Sequence, residues 1–198
     1  MDLSFASAVV ILVLVMDPIG NIPLFVSVLA QVEPQRRLRV IARECAIALL
    51  VLIAFVLFGR ALLGLFGISD PSLTIAGGVI LFLVALRMVF RHPEGLFGDA
   101  PHGEPFIVPL AIPALAGPAA IATVVLQVSR APERMLEWMA VVATAMLVTL
   151  VVLLAADRIA RLLGERALTA LERLMGLVLT AIAVEMLLRG IRAFVTQL

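Results

Sequence analysis

Charged residues are scarce in this sequence, and lysine and tyrosine are absent altogether. Only 15% of the 198 residues are charged and 63% are apolar, with a mean hydropathy of +1.18. A soluble domain carries roughly a quarter charged residues, because its whole surface faces water. A chain this apolar requires lipid as its solvent, which excludes an ordinary soluble domain. The missing lysine and tyrosine indicate a composition bias of the genome rather than a function.

The single cysteine and the near-zero charge exclude further classes of protein. Cys45 has no partner for an internal disulfide, and it lies in an apolar run, which is typical of a small packing residue. The formal net charge is +1, so the chain lacks the basic footprint of a nucleic-acid-binding protein. We expect one membrane domain over residues 1–198, with no soluble domain beside it.

Six long apolar stretches predict an all-α integral membrane protein with six transmembrane helices. A helix needs about 20 mostly apolar residues to cross the hydrocarbon core. None of the stretches alternates with period two, which excludes a β-barrel. The first has neither a basic leading region nor a small-residue cleavage site, so we do not expect a signal peptide. The predicted spans are residues 5–30, 41–65, 73–90, 106–128, 136–156 and 174–195.

The arginines predict the orientation in the membrane. Ten of the fifteen lie in or beside the odd-numbered loops. These ten are Arg36, Arg37, Arg39, Arg43, Arg87, Arg91, Arg158, Arg161, Arg166 and Arg173. Because positive loops stay in the cytoplasm, the odd loops are expected inside and both termini outside.

A polar linker, residues 91–105, divides the chain into halves of about residues 1–90 and 106–198. Its two histidines, His92 and His102, each stand two residues before a glutamate, Glu94 and Glu104. Histidine and carboxylate ligands suit zinc. A solvated linker rich in proline and glycine explains the same residues, so we predict no metal site.

The two halves resemble each other. GVILFLVALRMVFR (residues 78–91) aligns with GLVLTAIAVEMLLR (residues 176–189) at an offset of 98, with five identities in fourteen positions. An odd number of spans per half makes the second half enter from the opposite face. The pattern therefore predicts two inverted three-helix repeats, an architecture of secondary transporters. Four small residues are expected to allow close helix contact, namely Gly77, Gly78, Ala85 and Gly176.

Proline and glycine residues interrupt the first and fourth predicted spans. Proline costs about 3 kcal/mol or more in a helix interior. Such breaks are tolerated only where the backbone faces protein or a watery cavity, and half-helix ends there offer N–H and C=O groups to ligands. The predicted breaks are at Pro18, Pro23, Pro113 and Pro118, and the predicted binding residues are Asp17, Gly20, Asn21 and Gly117.

Asp17 lies near the middle of the first span, where a carboxylate is expensive unless it has a function. We predict that it binds the ammonium group of a substrate, or a coupling proton or sodium ion. The alternative is a local cap, with Asp17 as N-cap of the second half-helix, and both roles can hold together. Asn21 offers a donor and an acceptor beside it, and its alternative role is a helix breaker without a ligand.

Three further charges are embedded in apolar stretches, and their role stays open: Glu44, Arg87 and Glu185. Arg87 is expected to reach the interface or to meet Glu44. Glu185 is expected to pair with Arg189 one turn later. All three are interpreted as structural rather than as ligand-binding groups.

Four motifs in order resemble the MarC family, and the resemblance covers nearly the whole chain. They are DPIGNIPLF (17–25), IAGGVILFLVAL (75–86), VPLAIPALAGPAAIATV (108–124) and MGLVLTAIAVEMLLRGI (175–191). The resemblance implies a six-span inner-membrane protein of bacteria or archaea. Some members are described as transporters of small neutral amino acids.

The leading hypothesis is therefore a secondary transporter of a small neutral amino acid such as alanine, glycine or serine. With no nucleotide-binding motif and no cofactor expected, coupling would come from a proton or sodium gradient. One alternative is a channel or an accessory protein without a transport cycle, with a homo-oligomer forming the pore. An intramembrane enzyme is disfavoured, because no predicted span holds a histidine, an HExxH or a GxSxG motif.

Overall fold

The computed structural model describes residues 4–30, 32–90 and 110–196, and every regular element within these ranges is helical. The helices are α1 (Phe5–Met16), α2 (Ile22–Leu29), α3 (Pro34–Phe66), α4 (Asp70–Val89), a π-helical turn (Leu110–Leu115), α5 (Pro118–Arg130), a 3₁₀ turn (Pro132–Arg134), α6 (Met135–Leu154) and α7 (Ala156–Val195).

Within these described ranges, four helical stretches are long and apolar enough to cross a membrane. They are Pro34–Phe66, Asp70–Val89, Pro132–Leu154 and Arg166–Val195. Their outward faces carry large apolar side chains. Leu50, for example, is 68% exposed and Leu65 is 78% exposed. Continuous apolar surface of this kind is buried in lipid rather than left in water. The chain is thus an all-helical, multi-pass membrane protein.

Neither the first nor the fourth predicted span is one continuous helix. The first comprises α1 and α2, which are separated by residues 17–21. The fourth comprises the π-helical turn and α5. Its backbone is non-helical at Ile112 and is interrupted again at Gly117. Residues 106–109 of this span lie outside the described ranges. A 12-residue helix such as α1 is about 18 Å long. The hydrocarbon core is about 30 Å thick, so α1 alone is too short to cross it.

Two of the expected loops are helical instead. Helix α3 begins at Pro34, so the arginines assigned to loop one lie in its first turns. Helix α7 begins at Ala156 and includes the arginines assigned to loop five, with one interruption at Gly164, whose φ is 73°. Hydropathy marks where the chain leaves lipid, but alanine, leucine, glutamate and arginine continue a helix in water. Apolar runs therefore gave the wrong helix ends.

Helices α4 and α7 form the most extensive interface between two helices. A Cβ atom at Gly78 would lie 3.1 Å from the carbonyl oxygen of Ala183, and one at Gly176 would lie 3.0 Å from that of Ala85. As α4 advances from Gly78 to Ala85, α7 runs back from Ala183 to Gly176, so the two helices are antiparallel. The prediction that these small residues allow close helix contact is confirmed.

Most of the other interfaces also join the first half of the chain to the second. Helix α3 packs against α6, α1 packs against α6, and α5 packs against α3. An ion pair between Arg37 Nη1 and Asp157 Oδ2, at 3.3 Å, joins the start of α3 to the start of α7. The beginnings of these two helices therefore lie at the same end of the molecule.

Candidate functional site

Asp17 ends α1 in a left-handed backbone conformation, with φ 43° and ψ 63°. Apart from glycines, it is the only residue with positive φ in the described ranges. Aspartate and asparagine tolerate this conformation better than other side chains, because their short polar groups bond locally. The Asp17 N–H still donates to the carbonyl oxygen of Val13 at 2.9 Å, which closes the last turn of α1.

The two carboxylate oxygens of Asp17 have different surroundings. Oδ1 accepts a hydrogen bond from the Gly20 N–H at 3.0 Å and so holds the turn together. Oδ2 is buried and has no hydrogen-bond partner among the described residues, and only 3% of Asp17 is exposed. A buried carboxylate oxygen without a donor is costly, and such an atom points to a missing ligand or ion.

The side chain of Asn21, at the start of α2, is hydrogen-bonded to the end of α1 across the break. Its Nδ2 donates to the carbonyl oxygens of Met16 at 2.9 Å and Asp17 at 3.0 Å, the last two residues of the α1 end. Asn21, rather than Asp17, is the N-cap residue of α2, although its side chain makes no capping bond. Asp17 therefore caps the turn between the half-helices, which differs from the N-cap role considered for the sequence.

The break in the fourth predicted span presents a helix N-terminus. Gly117 precedes α5 and Pro118 occupies its first turn, a position that suits proline. Among the residues that the structure describes, no side chain caps α5, so the N–H groups of its first turn keep their partial positive charge. A Cβ at Gly117 would lie 2.5 Å from the carbonyl oxygen of Pro113, so this turn requires glycine.

The two breaks meet at one cavity of about 160 Å³. Asp17 and Asn21 line it from the first break, and Pro113, Gly117 and Pro118 line it from the second, with Ala119 and Ala120 of the first turn of α5. The rest of the wall is apolar and comes mainly from α4, through Ile80, Leu81, Val84 and Met88, with Leu179 from α7 and Val15 and Met16 from α1.

Other predicted residues lie outside this cavity. Gly20 is adjacent to it, Pro18 is buried in the break, and Pro23 lies in the first turn of α2. The embedded charges do not line it. Glu44 is fully buried and pairs with Arg43 Nη2 at 2.8 Å, while Arg87 is exposed in the last turn of α4.

Glu185 pairs with Arg189 Nε at 2.7 Å, as the sequence predicted. The two histidine–glutamate pairs lie outside the described residues. No cluster of three or more histidine, cysteine, aspartate or glutamate side chains occurs in the described ranges.

The apolar wall of the cavity was not predicted from the sequence. Ile80, Val84 and Met88 follow one another at four-residue intervals, which places them on a single face of α4. This spacing was visible in the sequence, but a helix of uniformly apolar residues gives no sign of which face lines a cavity. In the alignment of the two halves, Met88 is one of the five identical positions and matches Met186.

Comparisons with known proteins agree with the membrane architecture. The profile described as MarC family integral membrane protein matches residues 3–195. An inner membrane protein of Escherichia coli (strain K12), YhgN, is 46% identical over 187 residues, covering 94% of this chain and 95% of that protein. A membrane protein of Methanocaldococcus jannaschii is 34% identical and covers 90% of this chain and 91% of its own length. No solved structure matches.

Proposed function

This chain belongs to the MarC family of integral membrane proteins, and from that premise we propose that it is a secondary transporter of a small neutral amino acid. One observation carries the proposal. A buried carboxylate oxygen and the N-terminus of α5 border the same cavity, and neither has a side-chain partner within the described part of the chain.

The two polar ends of this cavity complement a zwitterion. The Asp17 carboxylate suits the ammonium group, through charge-assisted hydrogen bonds. The N–H groups and positive dipole end of α5 suit the carboxylate. A substrate with both charges would leave neither end of the cavity unpaired, whereas a simple cation or anion would satisfy only one of them.

The size of the cavity favours a small side chain. A cavity of about 150 Å³ takes benzene, which has six non-hydrogen atoms. Alanine also has six, glycine has five and serine has seven. A cavity of about 160 Å³ therefore suits these three amino acids better than leucine or phenylalanine.

We further propose that the chain forms one membrane domain of two inverted three-helix repeats, with broken first and fourth helices. The reciprocal contacts support this proposal, because Gly78 meets Ala183 as Gly176 meets Ala85, and both glycines and both alanines are 98 residues apart. A two-fold axis produces such exchanged contacts. Since α4 and α7 are antiparallel, that axis would lie in the membrane plane rather than along its normal.

The coupling ion of this transporter would be a proton or a sodium ion bound at Asp17. The name of the Escherichia coli relative supports the inner membrane as the location. Alternating exposure of the cavity would arise from movement of one repeat against the other. We propose no enzymatic activity.

Uptake into proteoliposomes tests the proposal. Purified protein is reconstituted, and radiolabelled alanine, glycine and serine are supplied with an imposed proton or sodium gradient. A secondary transporter gives saturable uptake that collapses when the gradient is dissipated. Uptake that never saturates would indicate a channel instead, and the absence of any flux across pH and sodium conditions would overturn the transport proposal.

A further inference from the structure

Met88 occupies a notch between three helical segments. Its terminal methyl group would lie 2.5 Å from a Cβ built at Gly20, and its Cβ would lie 2.9 Å from one built at Gly176. Only residues without a side chain leave room for methionine at these two points. The side chain therefore runs from the α4–α7 interface to the break between α1 and α2, where it lines the cavity.

The tip of Met88 lies beside the unpartnered oxygen of Asp17. A Cβ at Gly20 would meet both atoms, with Asp17 Oδ2 at 2.0 Å and the Met88 methyl at 2.5 Å. The methyl group thus borders the space in which a ligand's ammonium group would reach the carboxylate. Any substituent on the carbon next to that ammonium group would lie close to Met88.

From this placement we infer that Met88 sets the upper size limit of the substrate's side chain, so that the site takes amino acids no larger than serine or threonine. The inference rests on the proposed function and deepens it. Met88 is only 3% exposed and is confined by the backbone at Gly20 and Gly176, which limits how far its flexible side chain can move aside.

Met88→Ala tests whether Met88 acts as a size filter for the substrate's side chain. The substitution removes three non-hydrogen atoms, and leucine has three more non-hydrogen atoms than alanine. The variant should raise the ratio of leucine to alanine uptake about tenfold or more, since a single methylene group in an apolar pocket already changes specificity by about 10-fold to 200-fold. Met88→Leu keeps the volume and should retain the wild-type ratio.

Met186→Ala is the matched control. Met186 occupies the equivalent position of the second half, 98 residues later, and its methyl would lie 3.3 Å from a Cβ at Gly77 rather than in the cavity. This variant should keep the wild-type uptake ratio. If Met186→Ala shifted the ratio as far as Met88→Ala, the effect would reflect loosened packing and the filter would be refuted.

A binding measurement separates the filter from the transport proposal. Thermal shifts are recorded for each purified variant with alkylammonium ions from methylammonium to hexylammonium. Wild type should respond only to the short ions, and Met88→Ala should extend the limit by about three carbon atoms, even if no variant transports amino acids. An unchanged limit in Met88→Ala would overturn the filter, and a wild type that responds to no ammonium ion would overturn the filter together with the site.

Discussion

At the residue scale, Asp17 combines a structural and a chemical role through its two oxygens. Oδ1 holds the turn by accepting from Gly20 N–H, while Oδ2 is buried without a partner among the described residues. The left-handed backbone that places both oxygens is a strained conformation of the kind found at binding sites. The two roles are separable by mutation, because the first needs only an oxygen and the second needs a charge.

Asp17→Asn should therefore fold and insert but lose transport. Asparagine tolerates the left-handed backbone and keeps an oxygen for the Gly20 N–H, but it cannot pair with a cation. Hydrogen bonds to charged groups contribute about 1.5–3 kcal/mol, so alanine uptake should fall by about tenfold to a hundredfold. The measurement is proteoliposome uptake across pH and sodium concentration. Wild-type uptake throughout would make Asp17 a cap and nothing more.

Gly117→Ala should destabilise the second break. The new Cβ would lie 2.5 Å from the Pro113 carbonyl oxygen, a contact that neither backbone segment can relieve without moving. Forcing extra atoms into such a site costs about 1–3 kcal/mol, which should lower the midpoint of thermal unfolding and also weaken uptake.

Gly64→Ala is the control for this substitution. Gly64 lies within α3 and its Cβ would meet no atom within 4 Å, so alanine should leave stability unchanged or raise it by up to about 1 kcal/mol. Equal losses of stability in the two variants would show that the close approach at Gly117 has no special importance.

At the element scale, the α4–α7 pair depends on equivalent glycines that face the partner helix. A Cβ atom at Gly78 would lie 3.1 Å from a carbonyl oxygen of the other helix, and one at Gly176 would lie 3.0 Å from such an oxygen. Close approach of two backbones replaces the hydrophobic driving force that lipid does not provide between membrane helices. The interface also fixes Met88 and Leu179 in the cavity wall, so the packing of this pair determines the shape of the site.

Gly78→Val and Gly176→Val should each separate the two helices and lower the thermal stability of the detergent-solubilised protein by similar amounts. Each valine would have to displace backbone of the opposite helix, at a cost of about 1–3 kcal/mol. Leu177→Val is the control, because Leu177 is exposed on the outer face of α7. A loss from only one of the glycine variants would contradict the equivalence of the two positions.

At the scale of the whole molecule, the sequence predicted the membrane class and the family, and it singled out three residues that the structure brings to one cavity. Asp17 and Asn21 could be found because charged and amide side chains are rare in this chain, and Gly117 because it lies among the prolines that interrupt an apolar run. The lengths of α3 and α7 could not be read from hydropathy, since their ends leave lipid and stay helical. Met88 could not be found either, because its role depends on which glycines face it across the fold.

The orientation of the molecule in the membrane is the last prediction. The ion pair between Arg37 and Asp157 puts the starts of α3 and α7 at one end, together with most of the arginines. Arginine-rich connections remain in the cytoplasm, so this end should face inward and the short α3–α4 connection at Ser69 should face outward. Single cysteines at Ser69 and Arg158, in a Cys45→Ala background, test this with a membrane-impermeant thiol reagent on intact cells.

Ser69→Cys should react before the cells are opened, and Arg158→Cys only afterwards. A reporter fused after Leu198 should accordingly be active on the outer side, because the predicted count of six crossings places both termini there. The reverse labelling pattern would show that the arginine count misjudged the orientation. Labelling as expected, combined with an inward reporter, would show instead that the last predicted span, residues 174–195, does not cross the membrane, which would remove the odd span count on which the inverted repeats depend.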